Sequence, residues 1–129
     1  EMNLLLDTHI ALWAIADSPR LPKRARELIE APGNPVWVSV ASVWEIAIKH
    51  ALAKGDMPVS GSDAQSYFLA SGYRLLAIEA AHAVAVETLP PHHADPFDRL
   101  IVAQALTEPL RLLTHDAKLA PYSDTVILV

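Results

Sequence analysis

Asn3-Leu4-Leu5-Leu6-Asp7-Thr8-His9-Ile10-Ala11-Leu12-Trp13-Ala14-Ile15-Ala16 changes character at a single residue. Asn3–Leu6 is a short apolar run, as expected of a strand buried on both faces. Asp7 ends it. Thr8–Ala16 then reads as a helix, with Ile10, Leu12, Trp13, Ile15 and Ala16 apolar. A strand, an acid and a helix succeed one another with nothing between them.

The same alternation continues along the chain. Pro19 and Pro22 bracket a break, and Pro22–Ala31 is a second, more charged helix. Pro32-Gly33-Asn34-Pro35 is a turn, and Val36–Val40 a β-branched second strand. Ser39 and Ser42 are both candidate caps for the next helix, which is predicted to run to about Lys54 and stop at Gly55. Val43, Trp44, Ile46, Ala47, Ile48, Ala51 and Leu52 make it apolar over most of its circumference. Asp56–Gly61 reads as a connection, Ser62–Ser71 as a helix ended by Gly72, Tyr73–Ile78 as a third strand and Glu79–Leu89 as a helix. Pro90-Pro91-His92-His93 leads stiffly into a further helix opening at Asp95-Pro96. Leu110–Leu113 is a fourth strand, a short helical turn runs through Leu119, and Thr125–Val129 is a fifth strand. Strands alternating with helices imply an α/β fold with a mostly parallel sheet covered on both faces. In such sheets ligands bind at the carboxyl ends of the strands.

Composition sets the outer limits. The chain has 129 residues, the usual size of one domain, and residues 2–129 read as a single domain. Glu1 reads as foreign to the natural start, which is expected at Met2. The hydrophobic fraction of 52% lies slightly above the soluble average, so the core should be full, with apolar surface left for a partner. A formal net charge of −5 argues against binding nucleic acid through a general basic field. It leaves room for an enzyme that meets phosphates through a metal ion. The absence of cysteine excludes disulfides and thiolate metal sites and is compatible with a reducing cytosol. Neither a membrane span nor a signal peptide is visible, so the expected location is cytoplasmic.

The strand-end rule draws attention to the acids. Asp7 follows strand one, Asp116 lies just past strand four, Glu45 sits in the second turn after strand two, and Asp98 opens its helix between Phe97 and Leu100. Each also has a plain structural reading. Asp7 can cap the helix after it, and Asp116 the short turn. Glu45 completes the capping-box pattern Ser42-Val43-Trp44-Glu45 and precedes Lys49 by one turn, the spacing of a surface ion pair. Asp95 before Pro96 reads chiefly as a helix cap. Four crowded carboxylates would raise one another's pKa, and a hard divalent cation resolves the conflict. Mg²⁺ or Mn²⁺, one or two ions, suits such oxygen ligands and can activate water against a phosphodiester.

Other residues divide in the same way. Arg99 reads either as a phosphate contact or as an exposed partner for Asp95. Ser39 and Thr114 read as helix-cap or turn residues, with orienting a carboxylate as the second option. His92 and His93 read as a solvated loop rather than as ligands; His9 and His115 lie near the proposed site. Zinc is not expected. Trp13, Trp37 and Trp44 read as core or dimer surface.

Taken together these motifs resemble the PIN-domain ribonucleases, in particular the VapC-type toxins of bacterial toxin–antitoxin pairs. Asn3-Leu4-Leu5-Leu6-Asp7-Thr8-His9 looks like the family's opening strand and first metal acid. Ser39-Val40-Ala41-Ser42-Val43-Trp44-Glu45-Ile46 resembles its second motif, Asp95 through Ala105 its third with Asp98 as the acid, and Leu112-Leu113-Thr114-His115-Asp116 its last. The order is the family's, and the match spans nearly the whole chain. His9 stands where many members carry Asn, and Asp95 adds an acid that many lack. The resemblance implies a three-layer α/β/α sandwich and Mg²⁺- or Mn²⁺-dependent endonuclease action on RNA. It also implies a homodimer and inhibition by a cognate antitoxin. The catalytic and metal set would be Asp7, Glu45, Asp98 and Asp116, supported by Ser39, Arg99, Thr114 and Asp95. Two other readings stay open: a catalytically silent interaction module, and a phosphohydrolase with Asp7 as nucleophile.

Overall fold

The computed structural model describes residues 1–52 and 57–129. Five parallel strands form one sheet in the order β3-β2-β1-β4-β5. They are β1 (Leu4–Leu6), β2 (Val36–Ser39), β3 (Arg74–Leu76), β4 (Arg111–Thr114) and β5 (Ile127–Leu128). The described helices are α1 (Thr8–Ile15), α2 (Lys23–Glu30), α3 (Val40–Ala51), α4 (Gly61–Ala70), α5 (Ala80–Ala85) and α6 (Pro96–Thr107). Two 3₁₀ segments, Val86–Thr88 and Ala117–Tyr122, complete the order. No helix among the described residues is long and apolar enough to cross a membrane. The predicted end of the third helix at Lys54–Gly55 and the start of the Asp56–Gly61 connection lie outside the described residues.

Alternation along β1 builds the layers. Leu4 and Leu6 point to one face, where they meet Ile10, Ala25, Ile46 and Phe68; Leu5 points to the other, where it meets Ile101, Val102, Leu112 and Leu119. All three leucines of β1 are fully buried, as a central parallel strand requires. Gly61 lets α4 start hard against α3: a Cβ there would stand 2.8 Å from the Cβ of Ala47. The sheet is therefore covered on both faces, and every ladder is parallel.

Two elements differ from expectation for local reasons. The helix predicted over Glu79–Leu89 is α-helical only to Ala85 and tightens into 3₁₀ at Val86–Thr88. Pro90 and Pro91 have no N–H to offer the carbonyls of Val86 and Glu87. The Val86 carbonyl instead takes the Leu89 N–H at 3.2 Å, an i+3 bond. At the other end, Ser39 rather than Ser42 caps α3, its Oγ accepting from the Ala41 N–H at 2.9 Å. The chain thus turns from β2 into α3 with no loop between them.

The order of strands also fixes where a ligand can bind. From β1 the chain steps outward to β2 and β3, then returns to lay β4 on the opposite edge of β1. The crevice between the ends of β1 and β4 is a topological switch point, the usual ligand site of an open α/β sheet.

Candidate active site

Asp7 leaves β1 at this crevice. Its carboxylate caps α1, with Oδ1 accepting from the Ile10 N–H at 2.8 Å. Oδ2 accepts from the hydroxyl of Thr114, the last residue of β4, at 2.5 Å. The same Thr114 oxygen accepts the Asp116 N–H at 3.0 Å, so one hydroxyl ties the two acids to a common frame. Asp7 is only 5% exposed. Burial raises its pKa, against the opposing effects of Thr114, the Ile10 amide and the nearby His9.

Glu45 reaches the crevice from the second turn of α3 and is equally buried. Its Oε1 accepts from Thr8 Oγ1 at 2.8 Å, and its Oε2 accepts from Lys49 Nζ at 2.6 Å. Since the Thr8 proton goes to Glu45, the 2.8 Å contact between Thr8 and Ser42 has Ser42 as donor. The capping-box reading of Ser42 and Glu45 is therefore corrected. Both side chains face Thr8 across the crevice, because the cap is already supplied by Ser39. The ion pair with Lys49 is real, but its carboxylate end is buried rather than on the surface.

Asp98 enters from the first turn of α6. Asp95 caps that helix as expected, Oδ1 accepting from the amides of Phe97 (2.8 Å) and Asp98 (3.1 Å). Among the described residues no donor hydrogen-bonds the Asp98 carboxylate. Partial burial, reinforced by the charges of Asp95, Asp7 and Glu45 and eased by His93, pushes its pKa to about 7. Asp116 is the opposite case. Burial raises its pKa, but the Lys118 N–H and His93 together outweigh this and hold it below the usual carboxylate range. The ligand atoms of His93, Asp98 and Asp116 all lie within 4.8 Å of one another.

All four predicted acids thus meet at one end of the sheet, and Thr114 orients Asp7. Three other expectations are corrected. Ser39 orients no carboxylate: besides capping α3 it donates to Gln104 Oε1 at 2.5 Å, deep in the protein. Arg99 is neither a partner of Asp95 nor free for a phosphate. Its guanidinium donates to the carbonyls of Pro90, His93, Val86 and Leu89 and to Tyr122 Oη, clamping the loop before α6. A planar, five-donor side chain can answer several carbonyls at once, which suits this position. His93 is not in a solvated loop: its Nε2 lies 2.9 Å from Asp116 Oδ2 and 3.5 Å from Asp98 Oδ2. Adjacency to Asp95 and Asp98 in sequence is the signal that could have found it. Trp13 is half-buried against the core between the rings of His9 and His115, as a core reading predicts. Trp44 is 54% exposed and packs edge-on against Phe97.

The donor set is one of hard oxygens from four carboxylates, with no thiolate available. It fits Mg²⁺ or Mn²⁺ in chemistry and in charge. An open groove of about 730 Å³ is lined by His9, Leu12, Trp13, Arg20 and Pro58 among others, and none of the four acids lines it.

Comparison with known proteins identifies the family. The family model for the PIN domain matches residues 4–124. The ribonuclease VapC22 of Mycobacterium tuberculosis is 33% identical over 120 residues, covering 91% of this chain and 89% of that protein. In structure, the chain is similar to the Rickettsia felis VapBC2 complex bound to a DNA fragment from its promoter. That TM-score is 0.71 at 20% identity, over 99% of this chain and 98% of the other. It is also similar to VapC20 of Mycobacterium tuberculosis, a sarcin–ricin loop cleaving toxin, with TM-score 0.67 at 16% identity over 98% of each chain. The fold, the four converging acids and these relatives agree: the chain belongs to the PIN-domain family, in its VapC group.

Proposed function

We infer that the chain is a metal-dependent endoribonuclease, the toxin of a toxin–antitoxin pair. The observation that carries this reading is the convergence of Asp7, Glu45, Asp98 and Asp116 on the switch point, with Asp98 given no hydrogen-bond donor among the described residues and lying within the charge of Asp95, Asp7 and Glu45. Those four would hold the ion, Mg²⁺ or Mn²⁺. When bound it supplies an acidified water and neutralises charge on the scissile phosphate.

The chain's own residues set the stage for that chemistry. Thr114 fixes the Asp7 carboxylate relative to Asp116, and Thr8 fixes Glu45. Lys49 offsets the charge of Glu45 and lies within electrostatic reach of Asp95 and Asp98. Arg99 and Tyr122 hold the loop that carries His93.

The alternatives are not favoured. A phosphohydrolase with a nucleophilic Asp7 would want a second acid two residues on, and that position is His9. A silent module gives no reason to collect four acids at one strand end. An antitoxin is the expected partner, since several solved relatives are toxin–antitoxin complexes. Val40, Trp44, Ile48 and Leu52 form an exposed apolar stripe along α3 that suits a protein partner, the antitoxin or a second copy. The test is cleavage of a structured RNA pool and a matched DNA with Mg²⁺, Mn²⁺ or excess chelator, beside Asp98→Asn. Metal-dependent RNA cleavage lost in the variant is expected. Chelator-resistant cleavage, or full activity in the variant, overturns the reading.

A further inference from the structure

We propose that His93 is a positioning residue, a latch whose Nε2–H holds Asp116 from outside the ligand set. The proposal rests on the metal-site reading above and adds one role to it. It starts from the other ring nitrogen. His93 Nδ1 accepts the Asp95 backbone N–H at 3.0 Å, so Nδ1 carries no proton. The ring proton is then on Nε2. That N–H points at Asp116 Oδ2, 2.9 Å away, with Asp98 Oδ2 at 3.5 Å. A nitrogen that carries a proton has no lone pair for an ion. The close grouping of His93, Asp98 and Asp116 would otherwise read as a three-ligand site; the hydrogen bond at Nδ1 makes it two ligands and a donor.

The rest of the loop exists to aim this ring. The His93 N–H donates to Tyr122 Oη at 2.9 Å, and its carbonyl accepts from Arg99 Nη1 at 3.4 Å. Tyr122 Oη also receives Arg99 Nη1 at 3.1 Å. Backbone and ring are thus fixed by four separate contacts. On the far side Asp116 Oδ1 accepts the Lys118 N–H at 3.0 Å, so both oxygens of this acid are oriented before an ion arrives. Partners of this kind, one step removed from the ion, change metal affinity by roughly 10–100-fold when removed.

The experiment has two arms. Side-chain ¹⁵N spectra of the metal-free chain, with His93 assigned by loss of its signals in His93→Gln, are expected to show Nδ1 bare and Nε2 protonated. Any other protonation pattern overturns the proposal. Calorimetric titration with Mn²⁺ then compares the parent with His93→Gln and His93→Ala. The glutamine amide can donate from the place of Nε2, so His93→Gln should bind within about threefold of the parent, and His93→Ala about 10-fold more weakly or worse. Equal weakening in both variants makes His93 a ligand, and no weakening in either removes its role; each result overturns the proposal. If the parent itself binds no Mn²⁺, the metal-site reading fails separately. The ring spectrum still decides whether His93 holds Asp116 as described.

Discussion

The two halves of the acidic crevice are held in opposite ways. Asp7 and Glu45, on the β1 and α3 side, are each about 5% exposed, and all four of their carboxylate oxygens receive donors. Asp98 and Asp116, on the α6 and β4 side, are partly open to solvent and share a single histidine. The buried half is rigid because hydroxyls and a lysine satisfy it within the fold. The open half is poised, because Asp98 has charge repulsion and no donor among the described residues. On the metal-site reading, geometry and affinity are divided between the halves: one would fix where an ion sits, and the other would supply most of the drive to take it up.

The largest effect should erase the distinction. Asp7→Asn and Asp98→Asn are both expected to lower metal-dependent RNA cleavage by more than about 100-fold, beyond what an outer residue contributes. A much smaller loss in one of them, in a matched cleavage assay, would show that the halves do not form one site.

Metal should act mainly through the open half. Mn²⁺ at about 100 times its Kd is expected to stabilise the fold by about 2.7 kcal/mol in thermal melts. The Mn²⁺ concentration needed should rise as pH falls below about 7, because Asp98 must lose a proton to bind. Affinity that is flat from pH 5.5 to 8 would place the drive elsewhere.

Asp98 should also destabilise the metal-free protein. Its folded pKa of about 7 lies above the ordinary 3.8, so between those values the folded state holds more protons than the unfolded one. Stability therefore falls as pH rises through that window. Asp98→Asn is expected to stabilise the metal-free chain by about 2 kcal/mol at pH 8, a figure reduced for partial exposure, and by much less at pH 4. Denaturant melts at the two pH values measure this, and a variant less stable at pH 8 contradicts it.

Smaller effects separate the supports. Thr8→Val removes the donor to buried Glu45 and should cost about 1–2 kcal/mol in urea melts. Arg99→Lys keeps the charge but loses the planar fork. It should cost about 1 kcal/mol and reduce cleavage far less than Asp98→Asn. Equal activity losses in Arg99→Lys and Asp98→Asn would make Arg99 part of the chemistry.

Much of the fold and of the site is legible in the chain itself. Apolar runs such as Leu4–Leu6 and Leu112–Leu113, followed by Asp7 and Thr114, mark parallel strands whose ends carry polar groups. The four acids can be picked out because each stands just past a strand or in the first two turns of a helix. Which hydroxyl or cation answers each acid is not legible. Thr8 reaches Glu45 and Thr114 reaches Asp7 across 37 and 107 residues, and such pairings depend on how β4 returns beside β1. The role of Arg99 is hidden because its partners are backbone carbonyls, and the sequence does not show which carbonyls Pro90 and Pro91 leave unbonded. The role of His93 is hidden because the tautomer that matters is set by a neighbouring amide.

The return of β4 to the centre of the sheet has a consequence for synthesis. β1 leaves the ribosome well before β4, and one of its edges stays unpaired until the segment carrying Thr114 emerges, 107 residues after Asp7. At about 5–20 residues per second, that is an interval of roughly 5–20 s. During it the nascent chain carries Asp7, then Glu45, then Asp98, but neither the hydroxyl that orients the first nor the fourth acid. A chain released early in this interval therefore lacks an assembled site: the topology delays that assembly until β4 has been made.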